Sequence, residues 1–183
     1  MNDHNSGDVP PDLTDMVHVT SDAVLHSSAR VRDAEARIAR LSPCKLAPID
    51  WREATRTTLR FYSLAVSIPG LATANRMEVP DDGWQGWQWS RNEFLLLHVD
   101  PKPEFAMVTH PAPQSCRLDI AGRPMLVWRA APGDTGWAAN AYAAEVVGYL
   151  DDATLFWGQA VAPTQSRREA LLAGLATLER VPV

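Results

Sequence analysis

The sequence predicts an α+β fold, a mostly antiparallel sheet with an N-terminal helix and a C-terminal helix packed on it. Three observations predict it. A seven-residue apolar spacing near the start reads as one helix face. A central run of two-residue alternations is punctuated by tight turns, which pair strands antiparallel. A leucine-rich stripe at helical spacing closes the chain.

The elements follow in order. Residues 1–13 are polar and hold Gly7, Pro10 and Pro11, the composition of a disordered tail. Residues 14–42 form a helical extension. Thr20 or Ser21 can cap it, and Val17, Val24, Val31 and Ile38 recur every seventh residue, with Ala34 and Leu41 widening the stripe. Thr20 and Ser27 interrupt the stripe, too thin for a self-sufficient coiled coil, so the helix is expected to dock on the main domain, with pairing to a copy of itself as the alternative.

Residues 43–183 read as one α+β domain. Segment 57–68 is expected to be a strand, with Tyr62, Leu64, Val66 and Ile68 on one face and Phe61 and Ala65 on the other. Residues 71–79 suit a short helix or a loop, and Asp81-Asp82-Gly83 a turn. Trp87 and Trp89 alternate, and Phe94–Val99 is apolar at nearly every position, as in a strand covered on both faces. A brief strand is expected at Phe105–Val108 among prolines. Cys116–Ile120 and Met125–Ala130 form a hairpin around Ala121-Gly122-Arg123. Tyr142–Leu150 and Leu155–Val161 form another around Asp151-Asp152. Six to eight strands result. Ser166-Arg167-Arg168-Glu169 matches a capping box, with Leu171, Leu172, Leu175 and Leu178 behind it and Arg180 in the last turn.

Several residues above suit a named fold: Ile68-Pro69-Gly70 ending a strand, Ile120-Ala121-Gly122-Arg123-Pro124 at a corner, and Leu155–Pro163 feeding the terminal helix. On these, residues 57–183 resemble the PsbP-like superfamily. That resemblance implies an α/β/α sandwich and a binding or assembly role without catalytic residues. It carries no site across, because no shared motif is present, and the N-terminal helix and the tryptophans at 84–89 lie outside it.

The charge narrows function. There are 17 basic and 22 acidic residues, a net charge of −5. The longest basic run is Arg167-Arg168, far short of the surface that neutralises phosphates, so nucleic acid is not an expected partner. Lys45 and Lys102 are the only lysines against fifteen arginines, a bias that suggests a GC-rich bacterial source. No apolar run is long enough to span a membrane. With no signal-like segment in the first thirty residues, the expected compartment is the cytoplasm.

Cys44 and Cys116 form no CxxC motif and no Cys/His cluster, so structural zinc is not expected. They are expected as free cytosolic thiols, a disulfide being the alternative in an oxidising compartment. No phosphate-binding glycine loop and no G-x-S-x-G elbow occurs. No cofactor is expected.

The unusual feature is Trp84-Gln85-Gly86-Trp87-Gln88-Trp89-Ser90-Arg91. Trp84, Trp87, Trp89 and Arg91 are the candidate partner-binding residues, since indole and guanidinium groups give large contact area with a polar handle. The competing reading has one or two of these indoles closing the core. The function expected is a non-enzymatic protein-binding module, of adaptor or immunity type, contacting a protein partner or itself. The alternative is a small enzyme. In it His98, Asp100 and His110 hold a metal, the His-x-Asp pair sharing a strand face, or Cys116 acts as a nucleophile beside a histidine.

Overall fold

The computed structural model describes residues 28–52, 54–70, 74–77, 79, 83–100, 115–130, 132 and 141–182. Among these, two helices and ten strands make the expected α+β architecture, all strand pairs being antiparallel. The order is α1 (Ser28–Ala39), β1 (Arg56–Phe61), β2 (Leu64–Pro69), β3 (Asn75–Met77), β4 (Trp84–Ser90), β5 (Glu93–Asp100), β6 (Ser115–Ile120), β7 (Arg123–Ala130), β8 (Tyr142–Asp151), β9 (Thr154–Ala162), α2 (Gln165–Leu175) and β10 (Glu179–Arg180). A seven-stranded sheet runs β3-β4-β5-β9-β8-β7-β6, and a three-stranded sheet runs β1-β2-β10.

The main core lies between one face of the large sheet and a layer made of the small sheet and α2. Leu59, Phe61, Val66 and Ile68 meet Leu171, Leu172 and Leu175, above Leu95, Leu97, Val127, Val146 and Phe156. Each of these side chains contributes about 2 kcal/mol by leaving water. α2 comes so close to β2 that a Cβ on Gly174 would lie 2.9 Å from the Ser67 carbonyl oxygen. Thr177 secures that approach, accepting from the Ser67 amide at 2.8 Å and donating to the Gly174 carbonyl at 2.7 Å.

The other face carries two smaller clusters. Val31 and Ile38 of α1 cover Leu126, Val147, Tyr149 and Leu155, so the part of the seven-residue stripe within the described residues docks on the sheet, while Val17 and Val24 lie outside them. Phe94, Leu96, Ala143 and Val161 form the second cluster, with Trp84 and Trp128 packed against it. Phe94–Leu97 is therefore buried from both sides, as its continuous apolar run requires, and His98 and Val99 are half-buried.

The segment after α1 lies along the β6 edge. Arg117 donates its amide to the Ser42 carbonyl at 2.9 Å, and Cys44 donates to the Arg117 carbonyl at 2.8 Å. The Arg117 guanidinium donates to the Ala39 carbonyl at 2.8 Å, placing positive charge on the helix C-terminus. Covering an open edge in this way removes a template for unwanted pairing.

Four expectations need correction. The expected strand 57–68 is a hairpin, β1–β2, turning at Tyr62-Ser63 with Tyr62 at φ 51°. Apolar residues occupy odd positions through Phe61 and even positions from Leu64, and that change of phase marks the turn. The capping box does not form. Thr164 is the N-cap, its hydroxyl accepting from the Arg167 amide at 3.1 Å, while Glu169 binds arginines instead. α2 also stops at Leu175, because the chain turns there to add β10 to β2, taking Arg180 out of the helix. Finally, Cys44 and Cys116 are not free thiols. They form a disulfide, with Cα atoms 5.0 Å apart.

Part of the doubtful 71–79 stretch is β3, paired to β4 at Gly86–Gln88. The strand expected at Phe105–Val108, the turn at Asp81-Asp82 and the chain before Ser28 lie outside the described residues.

Candidate functional site

β4, β5 and β9 place Trp84, His98 and Trp157 directly opposite one another, three aromatic rings in one row on the α1 side of the large sheet. Trp84 stacks on His98 with ring centres 5.1 Å apart and 30° between planes. It meets Trp157 edge-on at 5.3 Å and 62°. Such pairs add about 1 kcal/mol each beyond area burial, so the Trp84 ring is held in place from two sides.

Gly83 makes the row possible. It sits at φ 91°, and a Cβ there would lie 2.8 Å from the His98 ring. Backbone without a side chain is what lets the imidazole lie flat against the strand start. The His98 Nδ1 is buried there without a hydrogen-bond partner.

A cleft of about 700 Å³ opens beside this row, where the ends of the large sheet meet the β1–β2 turn. Tyr62, Ser63, His98, Asp100, Thr154 and Arg180 supply its polar lining, and Leu64, Val99 and Leu150 its apolar part. His98 and Asp100 share a strand face, as their spacing predicts. Tyr62 stands at the rim with 59% of its surface exposed, its hydroxyl donating a long 3.5 Å bond to the Gly83 carbonyl. Arg180 pairs with Asp151 at 2.5 Å. Burial raises the Asp151 pKa, but the Ala153 amide, the Thr154 hydroxyl and Arg180 outweigh it, leaving the carboxyl below its ordinary range.

The four candidate binding residues do not converge. Trp87 is only 7% exposed and points into the main core, meeting Phe61 edge-on at 5.9 Å. Trp89 is half-buried against the same core. Trp84 lies on the opposite face. Arg91 is exposed in the β4–β5 turn, at the far end of β4 from the cleft. Trp87 and Trp89 do share a face, as the alternation predicts, but the small sheet covers it.

Of the enzyme candidates, His98 and Asp100 line the cleft and His110 lies outside the described residues. No cluster of three or more His, Cys, Asp or Glu fit to hold a metal occurs among the described residues. Cys116 is no free nucleophile, since its sulfur is bonded to Cys44. Among the described residues no helix is long and apolar enough to cross a membrane.

From the sequence, Tyr62 and Ser63 read as parts of a strand and Arg180 as part of a helix, and Thr154 lies unassigned between a turn and a strand, so none signals a site locally. Only the change of apolar phase at 61–64 gives Tyr62 away.

No family model matches this chain, and no curated protein matches it.

Proposed function

We propose that this protein is a non-enzymatic binding module for a protein partner, of adaptor or immunity type, and that Tyr62 and Trp84 lead its contact surface at the cleft end of the large sheet. One observation carries the reading: a largely exposed Tyr62 stands beside the Trp84–His98 stack, tied across Gly83. Aromatic groups fixed before binding lose little freedom on contact, which is what makes such residues strong anchors. Trp87 drops out of the contact set and serves the core. The Cys44–Cys116 bond supports an oxidising compartment over the cytoplasm, since such bonds persist where thiols are not kept reduced.

The test is site-specific crosslinking. A photoreactive phenylalanine analogue replaces Tyr62 in one sample and exposed Arg52 in another, each irradiated in extract of the source cells. The expected result is a discrete protein adduct from position 62, absent from position 52 and lost when Trp84→Ala is added. A mass of twice the chain identifies self-association. Equal labelling from both positions, or none from position 62, overturns the reading.

A further inference from the structure

The disulfide is set in an asymmetric surrounding. Cys116 is 7% exposed on the inner face of β6, while Cys44 is half-buried between exposed Pro43 and Lys45. A guanidinium nitrogen of Arg129 lies 2.6 Å from the Cys116 sulfur. The same guanidinium grips both oxygens of Glu169, at 2.9 and 2.6 Å. Arg168, itself buried, also donates to Glu169 at 2.8 Å. Among the described residues, two guanidiniums thus share this one carboxylate, and that of Arg129 also reaches the sulfur.

We propose that Cys44–Cys116 is a thiol-exchange site, reduced by a dithiol that attacks Cys44, with Arg129 stabilising the departing Cys116 thiolate. The bond chemistry balances. A thiolate of the dithiol bonds to the Cys44 sulfur, the S–S bond breaks, and its electron pair leaves on Cys116. The dithiol's second thiolate then attacks its own sulfur in the mixed disulfide and releases Cys44. The dithiol ends as a disulfide, having given two electrons and two protons to the cysteines. Attack falls on Cys44 because it is the more exposed residue of the pair, and a stabilised leaving thiolate departs faster. Exchange removes the covalent tie and leaves the Ser42–Cys44 segment on β6 through its two backbone bonds to Arg117 and the packing of Cys44 on the core. The bond is therefore the covalent part of the latch that holds α1 on the sheet.

The experiment uses the full chain and dithiothreitol as the reductant. Timed samples are alkylated and thiols counted by mass. Arg129→Gln is expected to slow reduction about tenfold, and Arg129→Lys, which keeps the charge, to stay within about threefold of the parent. An unchanged or faster rate in Arg129→Gln overturns the proposal, because mere loosening of the structure would speed reduction. If Arg129→Gln does not fold, Glu169→Gln is compared with Glu169→Asp, which loosens the same contacts but keeps the negative charge: Glu169→Gln should be reduced faster, and equal rates or a slower Glu169→Gln overturn the proposal. Acid-quenched samples with the monothiol glutathione should carry the adduct on Cys44. An adduct on Cys116 overturns the order of attack.

Discussion

The two helices lie on opposite sides of one sheet and are held in opposite ways. α2 buries Leu171, Leu172 and Leu175 in the main core, and its first turns bristle with polar ties. Thr164 caps it, Arg167 reaches Glu93 and the Pro69 carbonyl, and Arg168 reaches the Ala130 and Ala143 carbonyls. α1 buries Val31 and Ile38 over a smaller patch. Its other ties run from mid-helix to beyond its end: Glu35 to Arg123 at 3.3 Å, the Ala39 carbonyl to Arg117, and the disulfide past its C-terminus. One helix is part of the core. The other is an attachment fastened at its edge, and a fastening can be undone without dissolving what lies beneath.

The strongest way to break the comparison is to remove the fastening. Replacing both cysteines by serine frees a loop spanning 72 residues and should cost about 4 kcal/mol on chain-entropy grounds. Urea unfolding measures the loss. Hydrogen exchange should show it first in α1 and residues 42–44, and uniform exposure of α2 at the same time would erase the distinction.

Core truncation comes next. Leu172→Ala should cost about 4 kcal/mol and lower the midpoint of the whole transition, whereas Ile38→Ala should cost about 2 kcal/mol, at the lower end for such changes. Both side chains are essentially fully buried, so burial alone predicts equal losses. Equal losses in calorimetry would mean that α1 is as integral as α2.

The smallest effects are in pH, and they oppose one another. Burial raises the Glu169 pKa, but bonds and charge from Arg129 and Arg168 outweigh it and hold the carboxyl below its ordinary value. Its contribution is present above about pH 4.5 and lost as pH falls through the folded value. Burial, reinforced by the Glu35 charge, raises Tyr149 above the ordinary tyrosine value of about 10. Its contribution is present below pH 10 and lost as pH rises above that point. Acid should therefore weaken the α2 side and alkali the α1 side. Melting curves from pH 3 to 11 check this: Glu169→Gln should flatten the acid limb and Tyr149→Phe the alkaline limb.

Strand-bearing segments were legible wherever a rhythm of two met a turn. The β6–β7 and β8–β9 hairpins follow from side-chain alternation, which depends only on local backbone geometry, and β5 from its short continuous apolar run. The site was legible in part. His98 and Asp100 were singled out and do face one cleft, and Trp84 does stand in an aromatic row. Trp87 and Trp89 were placed on one face correctly, but which face is covered is not a local property.

By itself, the sequence determined the α+β class, the two later hairpins, the docking stripe of α1 and the leucine face of α2. Each is a repeat of hydrophobic spacing read over ten or so residues. Tertiary structure alone decided that Cys44 meets Cys116, that Thr164 rather than Ser166 caps α2, that Arg180 joins a sheet, and that Tyr62 and His98 share a cleft. Those outcomes join residues tens of positions apart or weigh neighbouring alternatives of equal local merit, and only the packing of whole layers chooses between them.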